Sequence, residues 1–171
     1  MEWILFLTFA LVAGAAAVGM VLQRSPVYSA LLLIVVLFAQ GGLYILLGAE
    51  LVAGVHIIVY AGAIMVLFLF VIMLLDLRPE EHPPVQFNQA SVLIGLVLAG
   101  LLLAELALGL GSGIVLGPQG PFDLETLKRV GNTQAVGRIL FREYLIPFEL
   151  TSVILLAAMV GAMVLAKRKL E

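Results

Sequence analysis

Residues 51–75 read LVAGVHIIVYAGAIMVLFLFVIMLL, 25 consecutive positions without an aspartate, glutamate, lysine or arginine. A helix crosses the ~30 Å hydrocarbon layer in about 20 apolar residues. At ~1.5 Å per residue this stretch is about 37 Å long, and tilt accommodates the excess. Inside lipid the backbone has no water to bond, so a spanning segment must satisfy its own groups as a helix or within a closed barrel. Barrel strands alternate in polarity over about 10 residues, and this stretch does not alternate. The same argument holds for the apolar runs 3–22, 27–49, 90–110 and 144–166. The expected fold class is all-α: a polytopic membrane protein with five transmembrane helices at about 3–22, 27–47, 52–75, 90–110 and 146–166. They are expected to form a single integral membrane domain over residues 1–171, without the internal repeats of secondary transporters.

Composition agrees. Of 171 residues, 63% are hydrophobic and 12% charged, against about half and about a quarter in a soluble domain. Mean hydropathy is +1.20. The net charge of −2 and the absence of cysteine exclude a basic nucleic-acid binder and a disulfide scaffold. No thiolate is available for an iron–sulfur cluster, and two histidines, His56 and His82, are too few for most histidine-based metal or haem sites. Any redox chemistry therefore belongs to partner chains.

Charge sets the expected orientation. Run 3–22 carries only Glu2 ahead of it and lacks the basic segment of a cleavable signal peptide. The first basic residue is Arg24, and Lys167, Arg168 and Lys169 abut the fifth run. By the positive-inside rule the N-terminus is expected outside and the C-terminus in the cytoplasm.

The connections differ in kind. Ser25 and Pro26 suit the cap and first position of the second helix. With Gly48-Ala49-Glu50 as the next turn, the first three helices are expected to pack as consecutive antiparallel neighbours. The loop 76–89 contains Pro79, Pro83 and Pro84. In the last connection, 111–143, a short helix is expected at 122–130, capped by Asp123. From Thr133, Val136, Ile139, Leu140 and Tyr144 recur at three- and four-residue steps with Arg138 and Arg142 between them. That pattern fits a short amphipathic helix lying in the membrane interface or packed on a neighbouring subunit.

Polar residues inside apolar runs are the functional candidates, because a mid-bilayer charge costs at least ~2.5–3.5 kcal/mol. They are Gln40, His56, Tyr60, Glu105 and Glu149. His56 and Tyr60, four apart, share a helix face; they form a hydrogen-bond chain or a satisfied interior pair. Glu149 follows Pro147 and is either an end-cap favoured by the helix dipole or a carboxylate facing a hydrated cavity. Glu105 snorkels, pairs with a neighbour or carries protons. Ala61-Gly62-Ala63 marks either close helix packing or a place where winding can change, as in a π-bulge.

Residues Ser25-Pro26-Val27, Leu47-Gly48-Ala49-Glu50 and IVYAGAIMVLF within 58–68 resemble the J subunit of bacterial NADH–quinone oxidoreductase (respiratory complex I), the family of mitochondrial NADH dehydrogenase subunit 6. Phe148-Glu149-Leu150 and Leu155-Leu156-Ala157-Ala158 resemble its last helix. The resemblance implies a non-redox subunit of the bacterial inner membrane, seated between the quinone-site subunit and the antiporter-like subunits. Quinone would bind at a neighbour, and FMN and iron–sulfur clusters would be held by partner subunits. It also implies a π-bulge at 60–66, with Tyr60, Gly62, Met65, Val66, His56 and Glu149 as candidates for coupling or the proton path. His56 departs from the Glu or Gln expected there. Subunits of cation/proton antiporters and membrane-bound hydrogenases are the alternative, and a purely structural membrane adaptor is a third.

Overall fold

The computed structural model describes residues 1–75, 89–111, 127 and 129–167. Its elements are α1 (Glu2–Leu22), α2 (Pro26–Leu46), α3 (Glu50–Val55), a π-helical segment (His56–Ile64), α4 (Met65–Leu74), α5 (Gln89–Gly111), α6 (Asn132–Arg142) and α7 (Leu145–Ala166). No strand occurs among the described residues. Five helices are long and apolar enough to cross a membrane: α1, α2, the composite third helix Glu50–Leu74, the Val92–Gly109 stretch of α5, and α7. The five-span expectation stands, with ends displaced by one or two residues.

Contacts divide the chain into two compact units, Met1–Pro121 and Phe122–Glu171. In the first, α2 is the central helix, packed against α1 on one side and the third helix on the other. Its sequence suits that position because small residues face both neighbours. A Cβ on Gly42 would lie 2.6 Å from the Phe9 ring of α1, and one on Gly41 would lie 2.9 Å from Ile57 of the π segment. Adjacent glycines point about 100° apart, so each admits a different helix. One turn earlier, Leu37 is buried with Ala61 and Met65, flanked by Leu33 and Ile34. These contacts are dispersion and close packing, which hold helices together where lipid removes the hydrophobic drive.

The turns show how the antiparallel arrangement arises. Ser25 occupies the cap of α2 and Pro26 its first position, but the Ser25 side chain makes no capping bond. The hydroxyl of Ser29 donates to the Met20 carbonyl at 3.0 Å instead, tying α2 to the end of α1. At the other end Gly48 has φ +72°, a conformation that costs an L side chain steric strain. There the Gly48 N–H donates to Ile45 O at 3.0 Å and the Ala49 N–H to Tyr44 O at 2.9 Å. This pair of bonds is a Schellman ending, which satisfies the Tyr44 and Ile45 carbonyls of α2 within the turn.

In the second unit, Gly131 (φ +86°) separates Leu127, Arg129 and Val130, which are helical, from α6. The expected helix 122–130 otherwise lies outside the described residues, as do its Asp123 cap, His82 and the prolines of loop 76–89. The expected amphipathic helix is α6. Tyr144, which continues its apolar pattern, lies beyond it as the cap of α7.

Candidate functional site

The third helix is not uniformly α. It is α-wound to Val55, π-wound over His56–Ile64 and α-wound again from Met65. The Met65 N–H donates to Tyr60 O, five residues back. The resemblance placed the altered winding at 60–66; it begins four residues earlier and ends two earlier. Tyr60 and Gly62 lie inside it, whereas Met65 and Val66 open α4. Met65 is buried against α2 and Val66 is exposed.

The small triplet divides its roles. Ala61 is 1% exposed and packs on Leu37, so close packing accounts for it. Gly62 and Ala63 are exposed. The single atom near a Cβ on Gly62 would be the Ile57 carbonyl oxygen, at 3.1 Å. That oxygen is the one five residues back, so the crowding at Gly62 comes from the helix itself and not from a neighbour.

Against this segment α2 presents a polar edge. The Gln40 amide Nε2 donates to the Tyr44 hydroxyl at 3.1 Å. The Tyr44 ring meets the His56 ring edge-on at 5.3 Å, and His56 in turn lies 5.2 Å from Tyr60. The strip Gln40–Tyr44–His56–Tyr60 therefore runs from α2 into the π segment. Among the described residues, the His56 Nε2 is a buried side-chain polar atom without a hydrogen-bond partner. Such an atom costs about 1–3 kcal/mol unless something outside the chain bonds it. Tyr60, 47% exposed, opens the strip to the surroundings.

Tyr44 was missed in the sequence. The available signal was its four-residue spacing from Gln40, on one face of an otherwise apolar run, across a tight turn from His56. Glu105 is exposed on α5 and is not part of this strip. Glu149 belongs to the second unit. Because α7 starts at Leu145, two residues before Pro147, no acidic residue falls in its first turn. Glu149 is the fifth helical residue and exposed, so the dipole-cap role weakens, since that effect fades beyond the first turn. An apolar cleft of about 430 Å³, lined by Glu2, Trp3, Phe6, Leu43, Leu46 and Leu47, contains no member of the strip.

These features define a class: an all-α polytopic membrane protein whose third span carries a π segment beside a polar edge. The family model for NADH-ubiquinone/plastoquinone oxidoreductase chain 6 matches residues 16–165, and the chain belongs to that family. It is 40% identical to the NAD(P)H-quinone oxidoreductase chain 6 of Synechocystis sp., covering 99% of this chain and 82% of that one. It is 39% identical to NADH-quinone oxidoreductase subunit J of Rhodobacter capsulatus (95% and 80% covered) and 34% identical to subunit J of Rickettsia bellii (97% and 80%). These names do not favour the antiporter or hydrogenase alternative.

Proposed function

We propose that this chain is a non-redox membrane-arm subunit of a proton-pumping NADH–quinone oxidoreductase, complex I, and that its third helix helps couple quinone reduction to proton translocation. The family match supports the first part. The observation that carries the second is the π segment His56–Ile64 in the middle of a span, since π winding concentrates at functional sites.

Exchange of this segment to α winding removes one residue's registration. One residue is about 100° of rotation, so the faces on either side of the segment turn relative to each other. Tyr60 and His56 would then move relative to the Gln40–Tyr44 edge, making or breaking a hydrogen-bonded path. Packed helices favour discrete arrangements over continuous deformation. Gly62 lowers the steric resistance to that exchange, and Met65 anchors the α-wound end against α2. This chain binds neither FMN nor an iron–sulfur cluster in this proposal. Partner subunits hold them, and its neighbours are the quinone-site and antiporter-like subunits of a bacterial inner membrane.

Purification of the tagged chain in mild detergent tests the assignment. Co-purification of FMN, iron–sulfur proteins and NADH–quinone activity supports it. Cation/proton exchange without them assigns the chain to an antiporter. Orientation is tested with a reporter fused after Glu171: activity confined to the cytoplasm fits an N-out, C-in chain, and periplasmic activity reverses it.

A further inference from the structure

The second unit places a basic helix at a membrane boundary. Two residues, Glu143 and Tyr144, separate the end of α6 from the start of the spanning helix α7. That link is too short to carry α6 away from the membrane surface. The turn is held by bonds from the N–H groups of Glu143 and Tyr144 to Ile139 O, at 2.8 and 3.2 Å, and Phe141 packs edge-on against Phe148 of α7 at 5.1 Å. Tyr144 itself is an amphipathic ring at the level where such rings favour headgroups.

Arg138 and Arg142 are four residues apart, hence on one face of α6, and both are exposed. They flank the side that contains buried Ala135 and half-buried Ile139. Neither makes an ion pair with Glu143 or any other carboxylate among the described residues. Between 128 and 143 the sequence holds Lys128, Arg129, Arg138 and Arg142 against Glu143 alone, in a chain whose net charge is −2. Exposed arginines at the boundary of an interfacial helix extend their charged heads to headgroup depth. Lipid phosphates lie at that depth, and the guanidinium fork matches a phosphate with two parallel bonds.

We propose that α6 is a lipid-headgroup site, with Arg138 and Arg142 binding the phosphate of anionic phospholipids and fixing the level at which α7 enters the bilayer. The site depends on the membrane-spanning character of α7 and not on the enzyme to which the chain belongs.

The test uses the tagged chain with its co-purifying subunits, returned to nanodiscs of phosphatidylcholine. These carry a photoactivatable tracer of either phosphatidylglycerol or phosphatidylcholine, and cross-linked peptides are mapped by mass spectrometry. Phosphatidylglycerol should label residues 132–148 in clear preference to phosphatidylcholine, each arginine contributing about five-fold. The two tracers should label Val92–Gly109 alike. Arg138→Gln with Arg142→Gln should abolish the preference, and Arg138→Lys with Arg142→Lys should keep most of it. Equal labelling of 132–148 by both tracers in the unmodified chain overturns the proposal. So does a preference that survives the glutamine pair, or protein cross-links there in place of lipid. The unmodified chain decides alone if the glutamine variant does not assemble. Co-purified NADH–quinone activity is read separately, so failure of the functional assignment stays distinguishable.

Discussion

Helices Pro26–Leu46 and Leu145–Ala166 have the same mean hydropathy, 2.2, yet 28% of the first span's window is buried within the chain and none of the second's. Both contain small residues. In α2, Gly41 and Gly42 receive Ile57 and Phe9, whereas nothing lies within 4 Å of a Cβ on Gly161 in α7. Hydropathy decides which segments cross the bilayer. Within the first unit, α1, α2 and the third helix meet because the turns that join them are too short to let them separate.

The largest expected effect contrasts those glycines. Gly42→Leu drives a side chain into the Phe9 ring, and overpacking costs about 1–3 kcal/mol or more. Membrane levels of the chain and thermal stability of the purified assembly should both fall. Phe9→Ala in the same chain should restore part of the loss. Gly161→Leu should leave chain levels near normal and act only on assembly with neighbours. Equal tolerance of the two leucines would erase the distinction drawn between α2 and α7.

Next comes the π segment. Gly62→Val adds a branched side chain at a position where even Cβ approaches the Ile57 carbonyl at 3.1 Å. Quinone-linked turnover and proton pumping should fall together by about ten-fold, which corresponds to ~1.4 kcal/mol on the barrier, while assembly persists. From the sequence, one methyl at this position looks much milder. The 3.1 Å contact requires the carbonyl to give way, so Gly62→Ala should show a smaller loss in the same direction. Normal pumping in an assembled Gly62→Val complex removes the winding exchange from this residue; failure to assemble makes Gly62 a packing contact.

A smaller effect is expected at His56. His56→Gln keeps a hydrogen-bonding side chain and should hold turnover within about two-fold, below ~0.5 kcal/mol. An inactive but assembled His56→Gln enzyme would show that the imidazole itself is required. Smallest is Glu149→Gln. The side chain makes no hydrogen bond among the described residues, so the melting temperature of the assembly should not move. Reduced pumping at unchanged stability places Glu149 on a proton path.

The five spans and the amphipathic α6 were legible because apolar run length and three- and four-residue periodicity act locally, residue by residue. The polar strip was legible in part. His56, Tyr60 and Gln40 stand out against their runs, but Tyr44 passes as an interfacial tyrosine until the Gly48 turn brings α2 beside the π segment. The bounds of the π winding were displaced for a related reason. Ala61-Gly62-Ala63 marks where side chains resist least, while the segment starts at His56, where Ile57 and His56 lie against Gly41 of α2, a long-range contact that run composition does not register. α7 begins at Leu145, one residue before the expected start, because Pro147 is tolerated within the first turn, where its missing N–H leaves no bond unmade.

The Schellman ending at Gly48 bears on biogenesis. The Tyr44 and Ile45 carbonyls are satisfied by the turn's own N–H groups, so the bend between the second and third helices leans less on water than an open loop would. A ribosome delivering α2 and then the 25-residue third helix can therefore release the pair into the membrane as one preformed hairpin. The Gln40–Tyr44 edge would meet His56 during insertion itself, so the strip would exist before any other subunit arrives.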